Sequence, residues 1–353
     1  MKLLDVAQVM TLPFIPIYSV PVKLRNLFFD FGWFRQQKVD AKIVSVGNIT
    51  VGGSGKTPMS IYVIKTLQSI NIKVAALSRG YGRETTGFRE VSDGTQMYLE
   101  VQNSGDEMYL TALECSCPAA VSESRVEGAI ELIQKYKPDV IVLDDAFQHR
   151  WIKRDLDIVL FDQRFLMQNN PLRKMSLPTG SMREPFSSLI RADCVVINRK
   201  FSARADADKK IDRFADGKKI FHACYNALGF IDVRNGRQYN PADFQGQISL
   251  AVCGIASPHS FFSALGSMKI SAEHRIVFKD HKRYKNEEVQ KIRKEFYAKN
   301  CYSVVTTQKD AVKLMQFKEE LDDIDIYYLK IELEIEEREE FKEYMTAKLF
   351  AGD

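Results

Sequence analysis

The sequence predicts an α/β protein: a mostly parallel sheet domain, then a second, smaller α/β domain joined to it by a hairpin-like linker. Three observations carry this expectation. Short β-branched runs recur at Lys42–Val46, Lys73–Leu77, Val140–Leu143, Leu156–Phe161 and Ala192–Ile197, the pattern of strands buried on both faces of a parallel sheet. Helical stretches such as Met59–Ser69 separate them, as parallel crossovers require. Asn235-Gly236 lies inside the alternating segment Phe230–Tyr239, the composition of a tight hairpin turn. A length of 353 residues fits two domains at roughly 100–200 residues each.

The elements divide in order. Val6–Val22 carries no charge and contains Pro13, Pro16 and Pro21. It is too short and too interrupted for a membrane span. It also lacks the basic start and small-residue site of a cleaved signal peptide. In Lys23–Arg35, Leu24, Leu27, Phe28, Phe31 and Phe34 recur at helical spacing beside Lys23, Arg25 and Arg35. Such a helix either packs on the protein's own core or lies in a membrane interface. Residues 1–35 therefore form an apolar N-terminal segment. Residues 36–220 hold the first sheet and end in a charged stretch, Lys200–Lys219, of helical character. Residues 221–353 hold a second alternating series, Ile248–Cys253, Ala272–Phe278, Ser303–Thr307 and Ile324–Leu329, and a last helix, Ile335–Phe350, acidic on its outer face.

Composition excludes some functions. Fifty basic against 46 acidic residues leave a net charge of +4, too even for a nucleic-acid binder, whose basic residues cluster. The six cysteines show neither a C-x-x-C pair nor metal-ligand spacing, as expected of free thiols in a reducing compartment.

The chemistry concentrates in S-V-G-N-I-T-V-G-G-S-G-K-T-P-M, Ser45–Met59. Thr50, Val51, Gly52, Gly53, Ser54, Gly55, Lys56 and Thr57 match a phosphate-binding loop except that Thr50 stands in place of its first glycine. Glycines between a strand and a helix let successive N–H groups face one anion, and the helix start adds partial positive charge. Lys56 then reaches the β- and γ-phosphates of a nucleotide, and the Thr57 hydroxyl ligates Mg²⁺. Asp144 and Asp145 close an apolar strand, the position of a metal-associated carboxylate in such folds. Gly105-Asp106-Glu107 suits a helix N-terminus as well as it suits catalysis. Asp280-His281 is a second carboxylate–imidazole neighbour pair.

Together with S-R-G-Y-G-R (Ser78–Arg83), S-G-D-E (Ser104–Glu107), L-D-D-A-F-Q-H-R (Leu143–Arg150), L-P-T-G-S-M-R-E-P (Leu177–Pro185), F-K-D-H (Phe278–His281) and V-T-T-Q-K-D-A-V-K-L (Val305–Leu314), the loop resembles the tetraacyldisaccharide 4'-kinase family. Ala146, Met108 and Gln308 depart from residues common there. The resemblance implies an ATP- and Mg²⁺-dependent kinase acting on an acylated glucosamine disaccharide 1-phosphate in lipid A biosynthesis. It places the enzyme peripherally on the cytoplasmic face of the inner membrane, with no protein partner evident. It implies Asp106 as proton acceptor paired with His281, Glu107, Asp144 and Asp145 around the metal with Thr57, and Arg125 and Arg183 on phosphate. An acid–base pair from two domains implies a site in the cleft between them, assembled by closure. The alternative is a P-loop GTPase or a metallochaperone-type nucleotide switch, with Thr307-Gln308-Lys309-Asp310 imitating a guanine-reading motif.

Overall fold

A computed structural model describes residues 8–215 and 217–351. In chain order the strands are β1 (Lys42–Gly47), β2 (Val74–Ser78), β3 (Arg89–Asp93), β4 (Pro118–Val121), β5 (Val140–Asp144), β6 (Leu156–Asp162), β7 (Cys194–Asn198), β8 (Lys219–Asp232), β9 (Gln238–Tyr239), β10 (Ile248–Cys253), β11 (Ser271–Val277), β12 (Ser303–Thr307) and β13 (Ile326–Ile335). The helices that build or flank the site are α1 (Ile15–Asp30), α2 (Lys56–Gln68), α3 (Asp106–Cys115), α4 (Arg125–Tyr136), α5 (Gln308–Leu314) and α6 (Arg338–Phe350).

All the strands join one sheet, ordered β11-β10-β12-β13-β8-β7-β6-β1-β5-β2-β4-β3, with β9 on β8. Within it, among the described residues, only β3 with β4, β8 with β9, and β8 with β13 pair antiparallel. Strands β2, β5 and β7 are buried along their whole length; helices cover both faces, so continuous apolar sequence replaces alternation. Strand β1 lies between β5 and β6. That brings the loop after β1 beside the acids that end β5, at the carboxyl edge where ligands of such sheets gather.

The two halves are not separated by a free linker. Strand β8 pairs parallel with β7 from Lys219 to Ala223 and antiparallel with β13 from Ala223 to Asp232. The division expected at 220/221 passes through it, and the Asn235-Gly236 turn joins β8 to the short β9. The C-terminal helix also crosses the expected division. Phe341, Met345 and Leu349 on α6 recur every four residues and bury in the same cluster as Val44, Met59 and Val63 of the first half. One apolar stripe is all a peripheral helix needs to dock. Among the described residues, Lys200–Lys219 holds only the short turns Asp208–Lys210 and Asp212–Ala215 rather than a long helix. Gly217, just before β8, takes φ +73°.

The N-terminal prolines do not break the helix as expected. Helix α1 runs from Ile15 through Pro21 to Asp30. Pro16 sits in its first turn, where a missing N–H costs nothing; Pro21 removes a single bond. Val6 and Ala7 of the uncharged run lie outside the described residues. The inner face of α1 is fixed by Phe29, edge-on to Phe34 and Trp151, and by Arg150, which bonds Asp30 at 2.7 Å and the Asn26 carbonyl at 3.0 Å. On the outer face Ile17, Val20, Leu24, Leu27 and Phe31 are exposed, with Phe14 and Trp33 beyond them. Among the described residues no helix is long and apolar enough to cross a membrane.

Phe341 is fully buried and stands edge-on to Phe221 at 5.0 Å. Phe341→Ala is expected to cost about 3–5 kcal/mol in chemical denaturation. A loss below about 1 kcal/mol would place α6 outside the first-half core.

Candidate active site

The loop after β1 is held open from several sides. The Val51 N–H donates to the Ser181 carbonyl at 2.7 Å, and the Arg183 N–H donates to that of Ile49 at 2.8 Å. Asn48 Nδ2 donates to Ser54 Oγ at 2.9 Å, and Asn198 Nδ2 to the Ser54 carbonyl at 3.1 Å. Gly55 caps α2 at φ +98°, and a Cβ there would lie 2.4 Å from Asn198 Nδ2 and 2.5 Å from the Tyr225 hydroxyl. Both the left-handed backbone and the lack of room demand glycine. The loop forms one wall of a cleft of about 820 Å³, with Arg183 and Glu107 beside it and Ala256, His281 and Lys309 of the second half opposite.

The acids of β5 follow. Thr57 Oγ1 donates to Asp144 Oδ2 at 2.9 Å, while Asp144 Oδ1 is buried with no partner. Burial, and then the neighbouring Glu107, push the Asp144 carboxyl above the usual carboxylate range. Asp145 adopts φ +50° and turns to Arg183, at 2.8 and 3.0 Å, with Lys56 Nζ at 3.8 Å. Burial opposes its charge, but Lys56 and Arg183 outweigh burial and hold it below the usual range. Among the described residues no three histidine, cysteine or carboxylate side chains form a ready metal cage. Mg²⁺ does not require one; it takes one or two carboxylates and fills its shell with phosphate and water oxygens. The orphaned, charge-deficient oxygen of Asp144 beside a threonine hydroxyl fits such an ion.

Asp106 opens α3. Gly105, at φ +79°, packs so closely on Gly80 and the Tyr81 carbonyl that a Cβ would sit 3.1 Å from the latter. The turn delivers Asp106 to the second half, where its Oδ1 lies 3.2 Å from His281 Nδ1. The Tyr81 ring meets the imidazole edge-on at 4.8 Å. Asp106 Oδ2 faces Lys313 Nζ at 3.1 Å and Lys309 Nζ at 3.7 Å. Lys309 also lies 3.2 Å from Glu107, 3.4 Å from His281 Nε2 and 3.9 Å from Asp280. Burial disfavours the Asp106 anion, yet the His281 hydrogen bond and the two lysines hold its carboxyl far below the usual range. Burial likewise opposes the Lys309 charge, and Glu107, Asp106 and Asp280 overcome it. Asp106 and His281 are thus in hydrogen-bond range in this conformation, because α3 already docks on α5; no further closure is required to bring them together.

Other residues take quieter places. Arg125 is buried at the start of α4, donating to the Ser122 and Glu123 carbonyls at 3.3 and 3.2 Å, and it is absent from the cleft wall. Burial lowers its pKa to about 10. Arg83 clamps a loop through Glu123 at 2.6 Å and the Gly87 carbonyl at 2.7 Å. Burial, then Arg125, push His149 down to about 4. Asp310 is fully buried and accepts from the Gly254 N–H at 2.8 Å and the Thr307 hydroxyl at 2.6 Å. It is committed to loop structure and is in no position to read a guanine base. Sequence reasoning missed Lys309, Lys313 and Tyr81 as parts of the site. The i, i+4 lysines after a strand end were the available signal.

A glycine loop between a parallel strand and a helix, with the acid that ends the adjacent strand bonded to its threonine, defines a P-loop nucleotide-binding protein. A profile of the tetraacyldisaccharide-1-P 4'-kinase family matches residues 7–350, and the chain belongs to that family. Tetraacyldisaccharide 4'-kinase of Chlorobium phaeovibrioides is 36% identical over 92% of each chain, and that of Chlorobium limicola 34% over 96% of each. A crystal structure of LpxK from Aquifex aeolicus, described as an "apo" form in complex with ATP, superposes with a TM-score of 0.78 at 27% identity and covers 98% of this chain and 100% of that one.

Gly55→Ala is expected to weaken binding of a fluorescent ATP analogue by at least about tenfold, since the added methyl forces the loop off Asn198 and Tyr225. Unchanged affinity would show that the loop is not the nucleotide cradle.

Proposed function

We propose that this kinase transfers the γ-phosphate of ATP to the 4'-hydroxyl of a tetraacylated glucosamine disaccharide 1-phosphate, a step of lipid A biosynthesis. The observation that carries the site assignment is the Asp106–His281 pair, whose histidine lines the same cleft as the phosphate loop. Lys56 and the loop N–H groups hold the β- and γ-phosphates. Asp106 accepts the proton of the attacking hydroxyl, and His281 orients it and shares its charge. Phosphoryl transfer through a loose transition state demands positioning and charge neutralisation more than a strong base, so a carboxylate surrounded by cations suffices. Thr57 and Asp144, with Asp145 and Glu107 around them, would hold Mg²⁺, which would supply neutralisation of the phosphate oxygens. Arg183 lines the cleft beside Asp145, suited to phosphate charge; Arg125, outside the cleft wall, acts on the acid pair through its charge.

The exposed stripe of α1 supports peripheral attachment to the cytoplasmic face of the inner membrane. An acylated disaccharide stays in the bilayer, so its sugar is reached at the surface, and a helix with one apolar face lies in that interface.

The deciding assay is incubation with γ-labelled ATP, Mg²⁺ and the tetraacyldisaccharide 1-phosphate in detergent; no labelled lipid across detergents would overturn the reading. In that assay Lys56→Ala and Asp106→Asn are each expected to lower kcat by at least about 100-fold while circular dichroism is unchanged. Replacing Ile17, Leu24 and Phe31 together with glutamate is expected to move the protein off anionic vesicles in flotation, with ATP binding retained. Unchanged flotation would assign the stripe another role.

A further inference from the structure

One buried charge is left unexplained by the nucleotide, metal and acceptor roles above. Lys313 does not wall the cleft; only 9% of its side chain is exposed. Its ammonium makes no aligned hydrogen bond. It lies 3.1 Å from Asp106 Oδ2 and 3.7 Å from Asp310 Oδ1, over the Tyr284 ring at 5.9 Å. Taking a cation out of water is expensive, and here the cost is offset by the two buried carboxylates it faces, Asp106 and Asp310. Asp310 in turn is tied to Gly254, just past β10, and to Thr307 at the end of β12. A chain of alternating charge therefore runs from the edge of the second half, through Asp310 and Lys313, to Asp106 at the start of α3.

We propose that Lys313 is a positioning residue for phosphoryl transfer: it fixes Asp106 Oδ2 from behind, so that Oδ1, with His281, is presented to the acceptor hydroxyl. The inference rests on the reading of Asp106 as proton acceptor. Lys309 differs in kind. It lines the cleft, is more exposed, and shares its charge among Asp106, Glu107 and Asp280. Lys309 thus faces the cleft, whereas Lys313 is enclosed behind it.

The test is steady-state kinetics of Lys313→Met, Lys313→Arg and Asp310→Asn, with Lys313→Met repeated in an Asp106→Asn background. Lys313→Met is expected to lower kcat by at least about tenfold with the KM for ATP within about twofold, and Lys313→Arg to recover part of the loss. In the Asp106→Asn background the same change is expected to cost less than about twofold, because residues acting as a unit are not additive. A folded Lys313→Met at wild-type kcat, or an equal fall in both backgrounds, would overturn the proposal and leave Lys313 structural. Should Lys313→Met fail to fold, Asp310→Asn carries the test, since it keeps the hydrogen bonds and drops the charge behind Lys313. A smaller loss in kcat alone is expected, and wild-type kcat in the folded variant would overturn the chain. Asp106→Asn at wild-type kcat would instead overturn the acceptor reading, and this inference with it.

Discussion

Repulsion among four carboxylates is the constraint around which this molecule is arranged. Asp106, Glu107, Asp144 and Asp145 converge where the sheet edge meets the start of α3, and desolvation makes every unbalanced charge there costly. The balance is drawn from distant parts of the chain. Asp145 is met by Arg183 and Lys56, Asp106 by Lys313, Lys309 and His281, and Glu107 by Lys309. Asp144 accepts a hydrogen bond from the Thr57 hydroxyl and feels the Lys56 charge, yet burial and Glu107 leave it the acid whose charge is least matched. On the proposed reading a divalent cation would complete the set there. The contact that α3 makes with the second half is thus largely ionic: it offers Asp106, Glu107 and Glu114, and the second half answers with Lys309, Lys313, Gln308 and Lys330. Gln308 donates to Glu114 where a glutamate would have added a further negative charge.

Much of this was legible in sequence. The phosphate loop and the β5 acids are local signals: contiguous residues whose strand–loop–helix setting follows from hydrophobic pattern and glycine spacing. The Asp106–His281 pair, 175 residues apart, was reached through resemblance, because no periodicity links α3 to the loop after β11. Lys309 and Lys313 stayed hidden for a related reason. Their helix has only seven residues, and a lysine in a short helix ordinarily reads as solvated. The fate of the C-terminal helix was equally obscure. Residues 341, 345 and 349 declare an apolar stripe but not the surface it covers, and sheet continuity through β8 let it return to the first half. In α1 the prolines were given too much weight, because the cost of a proline depends on its place in the turn.

The loop from Met175 to Glu184 is shared by two structures usually thought of separately. Thr179 accepts from Gln8 at 3.0 Å and from the Thr11 hydroxyl at 3.0 Å, and Glu184 from Asn26 at 2.9 Å, so the loop grips the N-terminal helix. Two residues away from each of those contacts, or fewer, Ser181 and Arg183 hold the phosphate loop and Asp145. The apolar helix is therefore no detachable anchor. Removing it to obtain a more tractable protein would strip partners from Glu184 and Thr179 and slacken the frame of the nucleotide site. Preparations made that way would report a weakened ATP site as well as lost lipid contact.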